Sequence, residues 1–169
     1  MVKIATWNIC LGLKTKKEYV KSKILEEKID ICCIQECEIK SDFPHNILSF
    51  KDFSIEIENN NVKSRCCIYI GGGISYIRRT DLEGVNNNIV AIEINLKHKK
   101  YLLLNVYRSF AMQDNIPVNI KFATQINLIS NAIRENPDHS PLVVGDFNLD
   151  YRMIYNAHYR LKNMYEFLI

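Results

Sequence analysis

Two polar residues that follow an apolar run near residue 145 could take part in catalysis. The segment VVGDFNLD, residues 143–150, reads as a buried strand that ends at the carboxylate of Asp146 and the carboxamide of Asn148. Side chains two residues apart in an extended segment lie on one side, so both would face one site while Phe147 turns toward the core. A carboxylate can activate water, and a carboxamide can orient that water or a substrate oxygen. The pair therefore predicts a hydrolytic site at the end of this strand.

Three other apolar runs in the sequence also end in polar residues. They end at Asn8, at Glu36, and at Tyr107 followed by Arg108. Layered α/β proteins build their sites at strand ends, so we expect these residues to converge with Asp146. Four such endings in one chain indicate one shared site rather than four unrelated loops.

The residue types at these strand ends suit metal-assisted attack of water on phosphorus. Glu36 is a hard oxygen ligand for Mg²⁺, which binds one or two carboxylates and keeps several waters, and Mn²⁺ is the alternative ion. Asp146 is the candidate base for the attacking water. The other residues are candidate donors that orient these groups or stabilise negative charge on the phosphate: Asn8, Tyr107, Arg108 and Asn148.

Strands and helices alternate along the chain that would position these residues. Gly71 to Gly73 lie between two strand-like runs and predict a hairpin turn rather than a phosphate-binding loop. Helical spacing of apolar residues predicts the inner faces of two helices, at Val20, Ile24 and Leu25, and at Phe122, Ile126, Ile129 and Ile133. The whole pattern predicts a layered α/β fold with strands 3–8, 29–34, 53–58, 66–70, 74–78, 89–96, 101–107 and 142–145, and helices 16–28, 118–135 and one after residue 150.

Length and composition fit a single domain spanning residues 1–169. The net charge of +3 and the pI near 8.5 are compatible with a polyanionic partner. No apolar stretch is long enough to span a membrane, and the first residues lack the pattern of a signal peptide. The adjacent pairs Cys32-Cys33 and Cys66-Cys67 lie in strands, where neighbours point to opposite faces. They predict buried free thiols in a reducing, intracellular protein.

Four short motifs, in this order, resemble those of the endonuclease/exonuclease/phosphatase superfamily: TWN at 6–8, IQE at 34–36, NVYRS at 105–109 and GDFNLD at 145–150. The YRS and GDFNLD forms look most like the apurinic-type endonuclease domains of non-LTR (LINE-type) retrotransposons. The resemblance implies a four-layer α/β-sandwich of the DNase I-like type and Mg²⁺-dependent phosphodiesterase activity. It also implies catalytic roles for Asn8, Glu36, Tyr107, Asp146 and Asn148.

This resemblance carries further expectations about substrate and partners. DNA would be the substrate, and the product would be a nick with a 3′-hydroxyl that primes reverse transcription. A reverse transcriptase domain would follow in the same full-length polypeptide, and the protein would act in the nucleus.

The superfamily pattern continues with further strands and closes on a Ser-Asp-His motif, whereas this sequence ends before such a motif. Asp138 and His139 cannot replace it, because they precede the strand that Asp146 follows and would lie roughly 15 Å or more from the site. We therefore expect a fragment without the C-terminal strands, with its activity reduced or lost. We also expect an exposed sheet edge through which two copies could pair.

Each of these features also has a simpler interpretation. Glu36 and Asp146 could cap helices, Tyr107 could be a core residue, and Arg108 could form a surface ion pair. The lysines at 14, 16 and 17 and the basic turn at 97–100 could contact a DNA backbone or simply be solvated. For the whole protein, the alternatives are a phosphatase or lipid phosphodiesterase of the same fold, and a non-catalytic nucleic-acid-binding or assembly module.

Overall fold

The computed structural model describes residues 1–110 and 116–149, and the helix predicted after residue 150 lies outside this range. The described residues form eight strands and two α-helices, with short 3₁₀ turns at His45–Ile47 and Thr80–Leu82. In chain order they are β1 (Ile4–Asn8), α1 (Leu13–Glu26), β2 (Ile31–Lys40), β3 (Phe53–Ile57), β4 (Lys63–Gly71), β5 (Tyr76–Arg78), β6 (Ile89–Leu96), β7 (Lys99–Tyr107), α2 (Val118–Glu135) and β8 (Ser140–Asp146).

The strands form two four-stranded sheets, with the orders β1-β2-β4-β3 and β5-β6-β7-β8. The pairs β1–β2 and β7–β8 are parallel, and the other neighbours are antiparallel. Each parallel pair is joined by a chain segment that contains a helix, as parallel pairing requires. The β1 and β2 strands therefore point in the same direction, and so do β7 and β8.

The two sheets pack face to face around an apolar core. Strand β2 is nearly continuously apolar because both of its faces are buried. Ile31 and Cys33 face the second sheet, whereas Cys32 and Ile34 pack toward α1. The core between the sheets is completed by side chains of β4, β6 and β7, among them Ile68, Ile70, Val90, Ile92 and Leu103.

A helix covers the outer face of each sheet. On the first sheet, Val20 and Ile24 of α1 pack against β2. On the second sheet, Ile129 and Ala132 of α2 pack against β6 and β7. The order of layers is helix, sheet, sheet, helix, so the predicted layered α/β-sandwich is confirmed.

Two local predictions about the first half of the chain are wrong. The segments around Gly71–Gly73 do not form a hairpin, because β4 belongs to the first sheet and β5 to the second. Helix α1 begins at Leu13 rather than at residue 16, after Gly12 at a left-handed φ of +82°. Its buried face is formed by Leu13, Val20 and Ile24, and the predicted inner residue Leu25 is 53% exposed.

The adjacent cysteine pairs are buried and unbridged, as predicted. Burial raises the pKa of the Cys32 thiol to about 12, so this side chain stays protonated near neutral pH. The reducing compartment stays a prediction. Over the described ranges, none of the helices combines the length and hydrophobicity that crossing a membrane would need.

Strand β8 pairs only with β7 among the described strands, so it forms an edge of the second sheet. Its residues 142–146 are half-buried rather than buried. Such an edge presents unpaired backbone groups that another strand could join. The pairing of two copies through this edge stays a prediction.

Candidate active site

Asn8 joins two carboxylates that come from different sheets. It is the last residue of β1, and its Nδ2 donates to Glu36 Oε1 at 2.9 Å and to Asp146 Oδ2 at 2.6 Å. The Cys10 N–H donates to Asn8 Oδ1 at 2.8 Å and so fixes which way the carboxamide faces. Because one nitrogen contacts both acceptors, Glu36 Oε1 and Asp146 Oδ2 lie no further apart than the sum of these two distances. The structure thus brings together residues from three strands that are distant in the sequence.

A β-bulge in β2 directs Glu36 into this site. Strand β2 was predicted to end at Gln35-Glu36, but it continues to Lys40, with its register against β4 shifted between Gln35 and Ile39. Within the shift, Glu36 adopts a φ of +58°, which is costly for a residue with a Cβ. The neighbouring Cys37 remains buried in the core beneath α1. The bulge therefore turns one side chain toward the cleft without removing its neighbour from the core.

Tyr107 connects the core to the site through its hydroxyl group. Its ring packs between the sheets and is 6% exposed, and its Oη donates to Glu36 Oε1 at 3.3 Å. Burial and the negative charge of Glu36 raise the pKa of Tyr107 above its usual value. The hydroxyl is therefore protonated at neutral pH and available as a donor to Glu36 or to a nearby phosphate oxygen.

Close contact between β7 and β8 fixes the position of Asp146. Asp146 pairs with Tyr107 in the ladder, and the preceding Gly145 has a φ of +138°. A Cβ at Gly145 would lie 1.9 Å from the carbonyl oxygen of Val106, so only glycine fits here. The Asp146 carboxylate accepts a hydrogen bond from the Asn148 N–H at Oδ1, at 2.9 Å. Together with the bond from Asn8 to Oδ2, this contact fixes the orientation of the carboxylate.

Asn148 does not continue the strand, which corrects the expectation of an extended segment. Its φ is +50°, and its Nδ2 donates to the Arg108 carbonyl at 2.5 Å rather than lying beside the Asp146 carboxylate. Phe147 packs on the cluster beneath α2, so the prediction that this ring turns toward the core is confirmed. Asn148 therefore reaches Asp146 through its backbone and Arg108 through its side chain.

Arg108 holds the segment after β8 in place. Its Nη1 donates to the carbonyl oxygen of Asn148 at 2.8 Å, and its guanidinium lies 4.6 Å from the centre of the Phe122 ring on α2. Its backbone N–H donates to the Asp146 carbonyl at 2.8 Å. The substrate contact assigned to Arg108 from the sequence stays a prediction, and in this structure the side chain is committed to the protein itself.

A buried amide pair lies beneath the site and was missed from the sequence. Gln35 Nε2 donates to Asn105 Oδ1 at 2.6 Å, and this bond joins the two sheets. Asn105 Nδ2 in turn donates to the carbonyls of Ile34 and Cys67, at 3.0 and 2.9 Å. A buried amide is stable only when its partners are present, so this network fixes one register of the sheets. Their positions in the sequence could have indicated this pair, because Gln35 directly precedes Glu36 and Asn105 lies two residues before Tyr107.

The donor set at this site suits a hard divalent cation. Glu36 and Asp146 are half-buried carboxylates at one cleft, and Mg²⁺ needs only one or two carboxylates beside its waters. Within the ranges 1–110 and 116–149, no group of three or more His, Cys, Asp or Glu side chains could hold a metal ion. Asp138 and His139 precede β8 and lie at the end opposite Asp146, as expected.

Comparison with known proteins identifies the fold. No protein-family model and no curated protein matches the sequence. Solved structures do match: the chain has the DNase I-like fold, and its resemblance to the endonuclease/exonuclease/phosphatase superfamily is confirmed at the level of the fold.

Three of these structures show the extent of the likeness. The endonuclease domain of TRAS1, described as a telomere-specific non-LTR retrotransposon, has 16% identity and a TM-score of 0.64, with 90% of this chain and 61% of that chain covered. An AP endonuclease from Leishmania major has 15% identity and a TM-score of 0.67, with 90% and 57% covered. TDP2 from D. rerio, complexed with a single-strand DNA product, has 15% identity and a TM-score of 0.62, with 92% and 64% covered. The chain therefore spans about three fifths of the length of these structures.

Proposed function

We propose that this chain is the Mg²⁺-dependent endonuclease domain of a retrotransposon, which hydrolyses a DNA phosphodiester and leaves a 3′-hydroxyl. The observation that carries the proposal is the double hydrogen bond of Asn8 to Glu36 and Asp146. These residues come from the ends of β1 and β8 and from the bulge of β2, and no local fold requirement explains why two carboxylates should meet there. A shared substrate or cation does explain it.

The proposed roles follow from the contacts of each side chain. Glu36 would hold Mg²⁺, which would neutralise negative charge on the phosphate when bound. Asp146, oriented by Asn8 and by the Asn148 N–H, would accept a proton from the attacking water. The protonated hydroxyl of Tyr107 would donate to the phosphate oxygen on which negative charge grows.

Asn8, Asn148 and Arg108 would act on the positions of these groups. Asn8 sets the spacing of the two carboxylates, and Asn148 sets the orientation of Asp146 through its backbone N–H. Arg108 would act as a positioning residue, because it binds the carbonyl oxygen of Asn148 and packs on Phe122. A hydrolytic group that is misplaced by about 1 Å loses much of its effect, so these contacts matter for rate.

The likeness to solved structures supports the choice of substrate. One similar fold is described as a retrotransposon endonuclease, and another is described in complex with single-strand DNA product. The YRS and GDFNLD motifs favour the first of these. On this basis we propose a reverse transcriptase domain in the same full-length polypeptide, and an intracellular protein that acts on nuclear DNA.

Nicking of supercoiled plasmid tests the proposal directly. Wild-type protein is expected to nick the plasmid with Mg²⁺ or Mn²⁺ and not with EDTA, and a polymerase should extend the nick because its end is a 3′-hydroxyl. Asp146→Ala should lower the rate by about 10²–10⁴-fold, since it removes the proposed base. Asp138→Ala is the matched control, because it removes an exposed carboxylate at the opposite end of β8.

Other outcomes distinguish the alternatives. Release of phosphate from a phosphomonoester without nicking would identify a phosphatase of this fold. Salt-sensitive DNA binding without any product would identify a non-catalytic nucleic-acid-binding module. Nicking that is equally fast in Asp146→Ala and wild type would contradict the assigned base.

A further inference from the structure

A pocket next to the candidate active site has no role in the proposed hydrolysis. Its volume is about 190 Å³, which is smaller than the 300–1,000 Å³ typical of sites for drug-sized ligands, and suits one flat ring system. Its walls are mainly apolar with charged residues at the rim: Lys14, Glu38, Ile39, Lys40, Phe43 and Leu48.

The pocket lies at the same end of the sandwich as the candidate catalytic residues. Glu38 follows Glu36 by two residues, inside the same β-bulge. Lys14 is in the first turn of α1, which begins five residues after Asn8. The pocket and the cleft therefore share two stretches of chain, the residues that follow β1 and the bulge of β2.

The charge at the rim is positive. Glu38 forms ion pairs with both Lys63 and Arg65, so its own charge is already compensated. Lys14 Nζ lies 5.3 Å from the centre of the Phe43 ring, and Lys40 is exposed. Asp42 is also exposed and adds one negative charge nearby, which leaves a net excess of cations.

We propose that this pocket binds a nucleobase of the DNA strand that occupies the active site, an inference that rests on the proposed function. The half-buried ring of Phe43 provides the apolar surface for a base, above a floor formed by the buried residues Ile39 and Leu48. Lys14 and Lys40 lie where the flanking phosphates of that nucleotide would enter. An aromatic ring combined with lysines at the rim is the arrangement by which proteins hold single-stranded nucleic acid without reading its sequence.

The chemistry of the ligand can be tested by comparing two oligonucleotides. One is a fluorescein-labelled single-stranded DNA of about 12 nucleotides, and the other has the same backbone with abasic sites throughout. Affinity for each is measured by fluorescence anisotropy in EDTA, where hydrolysis does not proceed. Phe43→Leu should weaken binding of the base-containing DNA about tenfold and leave binding of the abasic strand unchanged.

Further variants separate stacking from folding and from general charge. Phe43→Tyr keeps the aromatic ring and should restore wild-type affinity. Lys14→Gln should weaken both oligonucleotides and reduce the slope of log affinity against log salt by about one. The matched control is Tyr101→Leu, because Lys99 Nζ also lies 5.3 Å from the Tyr101 ring, at the end of β7 opposite Tyr107. It should change neither affinity.

The result that overturns the proposal is equal loss with both oligonucleotides, or no loss with either, in Phe43→Leu protein that remains folded by circular dichroism. Failure of the proposed function is a separate result. If the base-dependent effect of Phe43 is seen but wild-type protein does not nick plasmid with Mg²⁺, the pocket binds nucleobases and this chain by itself lacks the proposed nuclease activity.

Discussion

Two pairs of acidic residues in this protein differ in how their carboxylates are held. Glu36 and Asp146 are half-buried, and both accept a hydrogen bond from the side chain of Asn8. Glu58 and Glu83 are 4% and 1% exposed, and backbone N–H groups provide many of their hydrogen bonds. Only the first pair remains accessible to a ligand.

The buried pair is held mainly by backbone and arginine. Glu83 accepts the Ala91 N–H at 2.6 Å and Arg78 Nη2 at 2.9 Å. Glu58 accepts four hydrogen bonds, from Asn60 Nδ2 and from the backbone N–H groups of Arg65, Cys66 and Asn88. Burial raises the pKa of Glu58, and it raises the pKa of Glu83 to about 7.

This difference limits a common way of finding active sites. A shifted pKa often marks a functional group, because burial and charge are used to tune catalysis. Here the raised pKa values belong to Glu58 and Glu83, whose carboxylate oxygens accept hydrogen bonds from backbone N–H groups and so have a structural role. The candidate catalytic carboxylates are distinguished by convergence, since a third strand contributes the residue that bridges them.

The largest expected effect is the loss of nicking on substitution in the open pair, Glu36 and Asp146. Glu36→Gln keeps the size of the side chain and an acceptor for Asn8 but removes the charge that would hold Mg²⁺. We expect nicking to fall about a thousandfold, or about 4 kcal/mol in the barrier, with the urea unfolding free energy unchanged within about 0.5 kcal/mol. A single-turnover assay over a range of Mg²⁺ concentrations measures this. Wild-type activity in Glu36→Gln would remove Glu36 from the metal site.

The buried pair should instead control stability and its pH dependence. Because the folded pKa of Glu83 is about 7 against an ordinary value of 4.5, the folded state binds more protons between these pH values. The contribution of this carboxyl to stability is therefore complete below about pH 4.5 and is lost as the pH rises through 7. The loss is about 3 kcal/mol, at about 1.4 kcal/mol per pKa unit.

Glu83→Gln isolates this contribution, because its amide oxygen still accepts the Ala91 N–H but does not titrate. The difference in unfolding free energy between wild type and Glu83→Gln, from urea titrations at pH 5 and pH 8, should shift by about 2.5 kcal/mol in favour of the variant at the higher pH. Nicking at pH 7.5 should be unchanged. A pH-independent difference would show that the Arg78 charge keeps Glu83 ionised throughout.

The smallest expected effect concerns the residue that orients the open pair. Arg108→Lys loses the planar group that lies on Phe122 and reaches the Asn148 carbonyl. We expect kcat to fall about tenfold while KM for DNA and its salt dependence stay constant. Arg134→Lys, an exposed position on α2, is the control. A raised KM with a shallower salt slope would instead show that Arg108 contacts a DNA phosphate.

The sequence was most informative where a pattern is local. Apolar runs that stop at polar residues located Asn8, Glu36, Tyr107 and Asp146, and these are the side chains that the structure brings together. The bounds of α2 were predicted because helical spacing repeats over many turns. The four short motifs added the fold class, which periodicity alone left as a general α/β arrangement.

What the sequence did not predict depends on partners distant in the chain. Whether β4 and β5 form a hairpin depends on the strands beside them, and the backbone of Gly71 and Gly72 instead bonds Asp30 and Asp52. The inner face of α2 includes Gln125, which spacing assigns to no apolar stripe. Its Nε2 donates to the carbonyls of Asn87 and Tyr107, at 2.6 and 3.0 Å. Long-range hydrogen bonds of this kind leave no local pattern.

The bridge made by Asn8 has a consequence for the order in which the protein is made. Asn8 and Asp146 are 138 residues apart in sequence, so the first strand emerges from the ribosome long before its partner exists. A nascent polypeptide cannot assemble both acidic groups around that carboxamide until β8 has been translated and has docked beside β7. The candidate site therefore cannot form until the ribosome has synthesised β8.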